Sequence, residues 1–371
     1  MAGITAIIMP KWGLSMKEGT VGTWLVDVGT QISVGMPILD VETDKIANAV
    51  EAPDAGLLRR KVAHEGELLP VKALLGVLAE PQVSDAEIDA FVAAFVMPVA
   101  SADDEELTGP VYQYVDVDGL RIRYARRGAA QGTPVLFIHG FGGDLDNWLF
   151  NMDAVGEQAP VIALDLPGHG QSALKLPGTS IEVFAGFVAR FMAAIDVPLA
   201  HLVGHSMGGA IAAQLALGLP QQVASLSLID SAGFGDEINA RYTGGFATAA
   251  TRRELKSVLE LLFKDPGLVS RQMVDDVLKY KRLDGITELL VSLNEGLFAG
   301  GLQSAQPGRL LASSDKPVLV IWGQDDQIVP VAHAANAPPG ASVEIFEGTG
   351  HMSQMERSSD VNRLIVQHIG C

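Results

Sequence analysis

Between residues 1 and 80 short apolar runs alternate with glycine-marked turns, among them Val21–Val28, Ile38–Val41, Leu57–Val62 and Leu74–Leu78. Runs of this length and spacing predict β-hairpins throughout. The pattern also repeats. Displaced by 37 residues, Gly19 falls on Gly56, Gly29 on Gly66, Ile32 on Leu69, Val34 on Val71 and Ile38 on Leu75. Glycines mark turns and the apolar positions mark strand faces, so the repeat predicts two similar β-layers closed as a small flattened barrel. Lys45, in Val41-Glu42-Thr43-Asp44-Lys45-Ile46-Ala47, falls at the tip of the one turn that joins them. A lysine on an exposed hairpin between two quasi-symmetric sheets is presented to something.

The period changes after residue 80. Ile88, Phe91, Val92 and Phe95 recur at helical spacing within Ser84–Val96, and Ser84 with Glu87 forms a capping box. This short helix, 84–96, is expected to pack its apolar face on one of the flanking domains; docking to another subunit is the alternative. Pro98 ends it, and the acidic stretch Ser101–Glu106 follows. Residues 81–110 hold seven Asp/Glu and no Lys/Arg, a compositional break that reads as an acidic linker. From Met97 to Pro110 the chain can span about 45–50 Å.

From Val111 a second pattern runs to residue 371. A hairpin is expected over Val111–Val117 and Leu120–Tyr124, turning at Asp118-Gly119. Apolar runs then alternate with helical stretches: Val135–Ile138, Val161–Leu164, His201–Val203, Val223–Ile229, Val318–Trp322 and Val343–Phe346. Such runs predict a buried, mostly parallel sheet. The helical, polar segment from about 234 to 314 breaks the rhythm and reads as a cap inserted between two core strands.

Candidate chemistry sits at the ends of these strands. Strand His201–Gly204, then His205-Ser206-Met207-Gly208-Gly209, then an Ala-rich helix is a strand–turn–helix carrying Gly-x-Ser-x-Gly, the pattern of a nucleophile elbow. A serine needs a base, and the base an orienting acid. His351 follows Val343–Phe346 and is the expected base. Asp325 and Asp326 follow Val318–Trp322, and either can be the acid; the other is solvated or caps the next helix. The oxyanion hole should combine the N–H of Met207 with one from the loop His139-Gly140-Phe141-Gly142-Gly143, where Phe141 N–H is the expected donor. His139 is expected to hold this loop and His205 to support the elbow. His169 lies in a loop, and His64 and His333 are expected at the surface.

Composition narrows the field. A net charge of −18 argues against nucleic acid as a partner. No run of about 18 apolar residues occurs, so no membrane span is expected. The first residues lack a secretory pattern, and the one cysteine, Cys371, permits no intrachain disulfide; both fit a reducing cytoplasm. No metal site is expected.

Residues 1–80, through Met9-Pro10-Lys11, Glu18-Gly19, Glu42-Thr43-Asp44-Lys45 and Ala52-Pro53, resemble the lipoyl (biotinyl/lipoyl) domain. That family attaches lipoate to the lysine of Asp-Lys, here Lys45; biotin carriers usually have Met-Lys-Met, from which Asp44-Lys45-Ile46 departs. Residues 111–371 resemble α/β-hydrolases through His139-Gly140, Asp165-Leu-Pro-Gly168-His169-Gly170-Gln-Ser172, the elbow, and Gly323-x-x-Asp326 before Val329-Pro330. In that family the acid is the fourth residue of Gly-x-x-Asp, which favours Asp326. The pairing resembles the dihydrolipoyl acetyltransferase components of bacterial acetoin-cleaving complexes. The resemblance implies transfer of an acetyl group from a lipoyl thioester to coenzyme A. It also implies a thiamin-diphosphate-dependent acetoin-cleaving enzyme and dihydrolipoamide dehydrogenase as partners, and a homo-oligomeric chain. The rival is a serine esterase or thioesterase fused to a lipoyl carrier; a non-enzymatic reading makes the hydrolase domain a scaffold. The His-x-x-x-Asp-Gly pattern and the basic subunit-binding module of the usual lipoyl acyltransferases are both missing from the sequence.

Overall fold

The computed structural model describes residues 3–12, 16–43, 47–97, 112–129 and 131–370. Lys45, Pro98, the Ser101–Glu106 stretch, Val111 and Cys371 lie outside them. The chain divides into two compact units, with the main boundary between Gly109 and Pro110.

The first unit is built from eight strands: β1 (Ile4–Ile8), β2 (Glu18–Trp24), β3 (Gln31–Ile32), β4 (Pro37–Glu42), β5 (Ala47–Glu51), β6 (Gly56–Lys61), β7 (Leu68–Pro70) and β8 (Leu74–Ala79). They form two four-stranded sheets, in the orders β1-β8-β6-β3 and β5-β4-β2-β7. Exchanging the halves of the repeat carries β6 onto β2, β3 onto β7 and β8 onto β4, so one sheet maps onto the other. Ile38 and Leu75, repeat partners, are both fully buried in the shared core with Ile7, Val21, Leu39 and Leu58. β4 and β5 pair antiparallel with Glu42 opposite Ala47, and Lys45 falls between them in the chain.

Helix α1 (Asp85–Ala94) forms where the periodicity predicts it, with the Ser84–Glu87 capping box made in both directions. It belongs to this unit. Ile88 is fully buried in a cluster with Val77 and Ala79 of β8, and Ile4, Val62, Phe91 and Val92 pack around it. Burying such a side chain stabilises the contact by about 1.5–3 kcal/mol. Ion pairs Arg59–Asp85 (2.9 Å) and Arg60–Asp89 (2.7 Å) flank it.

The second unit is an eight-stranded sheet in the order β16-β15-β14-β13-β11-β12-β10-β9. β9 (Tyr112–Val117) and β10 (Leu120–Gly128) form the expected hairpin. Its two turn residues, Asp118 and Gly119, both have positive φ (55° and 78°), which matches the right-handed twist of the strands. The remaining strands are β11 (Val135–Ile138), β12 (Pro160–Leu164), β13 (Ala200–His205), β14 (Val223–Ile229), β15 (Val318–Gly323) and β16 (Ser342–Phe346), parallel to their neighbours among themselves. Helices α2 (Ile181–Ala194), α3 (Met207–Gly218) and α8 (Ser358–Ile369) bury apolar faces on the sheet unit. The chain runs outward from β11 to β12, then returns to β13 on the other side of β11. Crevices at such reversals lie beyond the carboxyl ends of the strands and are where open α/β sheets bind ligands. Between β14 and β15 the cap supplies α4 (Ala240–Thr248), α5 (Arg252–Leu259), α6 (Arg271–Lys281) and α7 (Ile286–Phe298). No helix among the described residues is long and apolar enough to cross a membrane.

Candidate active site

Ser206 occupies the turn between β13 and α3 with φ 53° and ψ −120°, a conformation costly for a residue with a side chain. The turn survives because its surroundings over-determine it. Ser206 N–H donates to Ile229 C=O (3.0 Å), and its own carbonyl accepts from Gly209 and Ala232 N–H (2.9 and 3.0 Å). The two glycines of the motif make room. A Cβ at Gly208 would lie 2.1 Å from Ile138 O, and one at Gly204 2.4 Å from Gly208 O.

The structure separates the two adjacent carboxylates. The side chain of Asp326 is fully buried and fully used. Its Oδ1 accepts from Ile328 and Val329 N–H (2.7 and 3.0 Å), and its Oδ2 faces His351 Nδ1 (2.8 Å) and Trp322 Nε1 (3.2 Å). Asp325 is a third exposed and pairs with Lys264 Nζ at 2.7 Å. His351 is therefore oriented by Asp326, with Nδ1–H toward the carboxylate. Burial pushes its pKa down, but the charge and hydrogen bond of Asp326, with Asp230 and Glu356 adding, outweigh burial and raise it above the ordinary histidine value. Ser206, Asp326 and His351 thus follow β13, β15 and β16, strands of one parallel set, and their loops leave the same edge of the sheet.

The loop expected to supply an oxyanion donor reaches Ser206. A Cβ at Gly140 would lie 3.0 Å from Ser206 Cβ, which places the His139–Gly143 loop against the elbow. His139 holds this loop: Leu166 N–H donates to its Nε2 (3.0 Å), so its Nδ1–H faces Gly140 C=O (2.8 Å). Burial keeps it neutral, its pKa lying well below the ordinary value. Met207 is the first residue of α3, where the helix's own ladder leaves amides free to donate elsewhere. His205 supports the site by a route the sequence does not reveal. Its Nε2–H donates to the carbonyl of His351 (2.7 Å), and the two rings lie 4.8 Å apart, so the residue before Ser206 pins the backbone of His351.

The cap reaches the same loop. The Phe141 ring makes edge contacts, at 5.8 Å between centroids, with Phe246 of α4 and Phe298 of α7. Tyr242 of α4 donates its hydroxyl to Phe141 C=O (3.3 Å). Lys281, at the end of α6, donates to the carbonyls of Phe246 and Ala247 at the C-terminal end of α4; burial lowers its pKa to about 8. The other basic residues of the cap mostly pair with acids on its surface, Arg252 with Asp275, Lys256 with Glu260 and Lys279 with Asp276.

One histidine departs from expectation. His333 is buried rather than at the surface, because it packs against the bare backbone of Gly235 and its Nε2 bonds Glu237 (2.8 Å). His169, in its loop, is fully buried against His139, the rings 5.1 Å apart. Asp230 and Tyr242 are additions that no motif marks. A carboxylate at the carboxyl end of a parallel strand was the one available signal for Asp230.

Comparison with known proteins places both units. The alpha/beta hydrolase fold family matches residues 133–358, and the biotin/lipoyl family, described as biotin-requiring enzyme, matches 5–78. The chain is 63% identical over 367 residues to the dihydrolipoyllysine-residue acetyltransferase component of the acetoin cleaving system of Cupriavidus necator, covering 99% of this chain and 98% of that protein. It is 46% identical to the protein of the same description from Pseudomonas putida, with 98% of each covered. Among solved structures, a meta-cleavage product hydrolase of Pseudomonas fluorescens IP01 superposes with a TM-score of 0.62 at 23% identity, over 69% of this chain and 96% of that one. A 2-hydroxy-6-oxo-6-phenylhexa-2,4-dienoate hydrolase of Rhodococcus gives 0.64 at 22%, over 71% and 99%. At these identities the two structures establish the hydrolase fold.

Proposed function

The chain belongs to the dihydrolipoyllysine-residue acetyltransferase components of acetoin cleaving systems, and from that premise we propose that its hydrolase domain performs the acetyl transfer through an acyl-serine. Lys45 is the lipoate attachment site in this reading. Lipoate there supplies a thiol on a long arm that carries the acetyl group as a thioester. A thiamin-diphosphate-dependent acetoin-cleaving enzyme provides the acetyl group, and dihydrolipoamide dehydrogenase reoxidises the arm.

Each step uses a group of this chain. Ser206 Oγ attacks the thioester carbonyl while His351 Nε2 takes its proton. Asp326 holds the imidazole in the right tautomer and stabilises the imidazolium. Phe141 and Met207 N–H groups donate to the oxyanion. His351 returns the proton to the departing thiolate, leaving acetyl-Ser206. The thiol of coenzyme A then attacks that ester, with His351 accepting its proton and returning it to Ser206 Oγ. The Phe246, Phe298 and Tyr242 contacts around Phe141 make the cap an apolar cover that disfavours water as the acceptor.

The observation that carries this reading is the 2.8 Å His351–Asp326 pair, buried in a loop cluster with a strained Ser206, in a chain that also holds a lipoyl domain. The test offers S-acetyl-dihydrolipoamide with and without coenzyme A and identifies the product. Acetyl-coenzyme A is expected to form much faster than acetate. Predominant acetate at saturating thiol would instead establish a thioesterase.

A further inference from the structure

Asp230 is one residue past the end of β14, the strand lying between β13, which leads to the nucleophile, and β15, which leads to the acid. It is fully buried, and its φ of 46° is strained for an aspartate. A buried carboxylate in the middle of a sheet is costly unless donors surround it. Three do. Gly323 N–H donates to Oδ1 (2.8 Å), Ser353 Oγ–H to the same oxygen (3.0 Å), and Ser353 N–H to Oδ2 (3.0 Å).

These partners are not scattered. Gly323 opens the loop that delivers Asp326, and Ser353 stands two residues beyond His351. The two loops touch at the same place, since a Cβ at Gly323 would lie 1.9 Å from Gly350 O. One side chain therefore bonds the backbone of both loops where they meet. Asp230 makes no hydrogen bond to His351 or Asp326, yet its charge acts on His351 in the same direction as that of Asp326. Burial, with the like charge of Asp326 adding to it, pushes its carboxyl up to about 7, while the charge that forms on His351 and the Gly323 and Ser353 donors pull it down, so the carboxylate form is favoured when the imidazolium is present. The titratable groups around His351 are then Asp326, Asp230, Glu356 and the neutral His205.

We propose that Asp230 is a positioning residue of the acyl-transfer site, tying the acid loop to the base loop and serving as a second buried negative charge for the imidazolium on His351. The proposal rests on the triad reading above. It assigns a division of labour: Asp326 sets the tautomer and direction of the ring, and Asp230 sets the spacing of the loops and deepens the field.

The test uses the full-length protein and p-nitrophenyl acetate, a probe that acylates a triad serine without lipoyl arm or coenzyme A. Asp230→Asn removes the charge and turns an amide toward backbone donors. The acylation rate is expected to fall about 10²-fold, the cost of a small misplacement of reacting groups, with KM little changed. The acid limb of the pH–rate profile should move to lower pH, because His351 loses a negative neighbour. An unchanged rate and limb would overturn the proposal, and so would a slower rate with the limb in place, which marks a structural role alone. If Asp230→Asn does not fold, Ser353→Ala decides in its stead. It removes one donor from the carboxylate and should slow acylation and shift the limb in the same direction by less; an unmoved limb overturns the proposal. Ser206→Ala is the control. A burst that survives it means that the triad reading has failed and takes this proposal with it, whereas a burst lost there and intact in Asp230→Asn refutes Asp230 alone.

Discussion

In the lipoyl domain Gly29 and Gly66, one repeat apart, have φ of 92° and 82°, and a methyl group on either would meet nothing within 4 Å. In the hydrolase domain Gly204 and Gly208 need no unusual φ, but a methyl group there would strike backbone oxygen at 2.4 and 2.1 Å. The first pair answers a torsional demand, made by the turn itself. The second answers a steric demand: Gly204 meets Gly208 of its own turn, and Gly208 meets Ile138, distant in the chain. The small domain is thus specified by local rules applied twice. The catalytic domain is specified by encounters between remote segments. The same contrast runs through the proposed chemistry, in which the carrier uses one presented lysine and the acyl transfer uses five residues from four loops.

Crossing the two chemistries tests that contrast most strongly. Ser206→Ala should lower acyl transfer by about 10³-fold or more while leaving lipoylation unchanged. Lys45→Ala should abolish the lipoyl mass increment yet leave acylation by p-nitrophenyl acetate intact. Intact mass and burst kinetics on both variants read this out; a modified Lys45→Ala protein would move the attachment site elsewhere.

The adjacent carboxylates come next. Asp326→Asn should cost roughly 10²- to 10⁴-fold in turnover, because the ring loses its orienting acceptor. Asp325→Asn should be near neutral, since its exposed ion pair with Lys264 is worth little. The sign of the pH dependence follows from the same pair. The base works only when neutral, and its pKa is raised, so activity should rise with pH through a midpoint above 6.5. A midpoint well below 6.5 would show that the buried carboxylates do not govern His351.

Gly208→Ala and Gly66→Ala probe the glycine comparison itself. The first forces Cβ into a carbonyl and should destabilise the hydrolase domain by about 1–3 kcal/mol, or more if the elbow cannot shift. The second meets only the left-handed penalty, about 1–2 kcal/mol, confined to the lipoyl domain. Separate thermal transitions for the two domains would resolve them. The smallest effect is expected from Tyr242→Phe. It removes one hydrogen bond, about 0.5–1.5 kcal/mol net, so acylation should slow by no more than about 10-fold, with KM following if the cap loosens.

Most of the frame was legible in advance. The strands from β11 to β15 fall where apolar runs predict them, because a parallel strand buried on both faces can tolerate little else; β16 forms where expected but is an exposed edge strand rather than a buried one, since it pairs on one side only. Ser206 and His351 were legible because an elbow and a post-strand histidine have local spellings. Asp325 and Asp326 were not separable by position alone, since both follow the same strand; the Gly323-x-x-Asp326 resemblance pointed to the one that faces His351. His333 was misplaced at the surface because its burial depends on Gly235, far away in sequence, leaving space for its ring.

The sequence by itself determined the two domains, the repeat, the capped helix α1 and the residue types able to do acyl chemistry. These rest on periodicity, torsion and capping, which act over a few residues. Only the tertiary structure decided that Asp326 rather than Asp325 meets His351, that His205 bonds the backbone of His351, that Asp230 bonds Gly323 and Ser353, and that Tyr242 and Phe246 of the cap contact Phe141. Each of those is a contact between segments from 25 to 146 residues apart, and closing such distances depends on how the whole sheet packs, which no local pattern encodes.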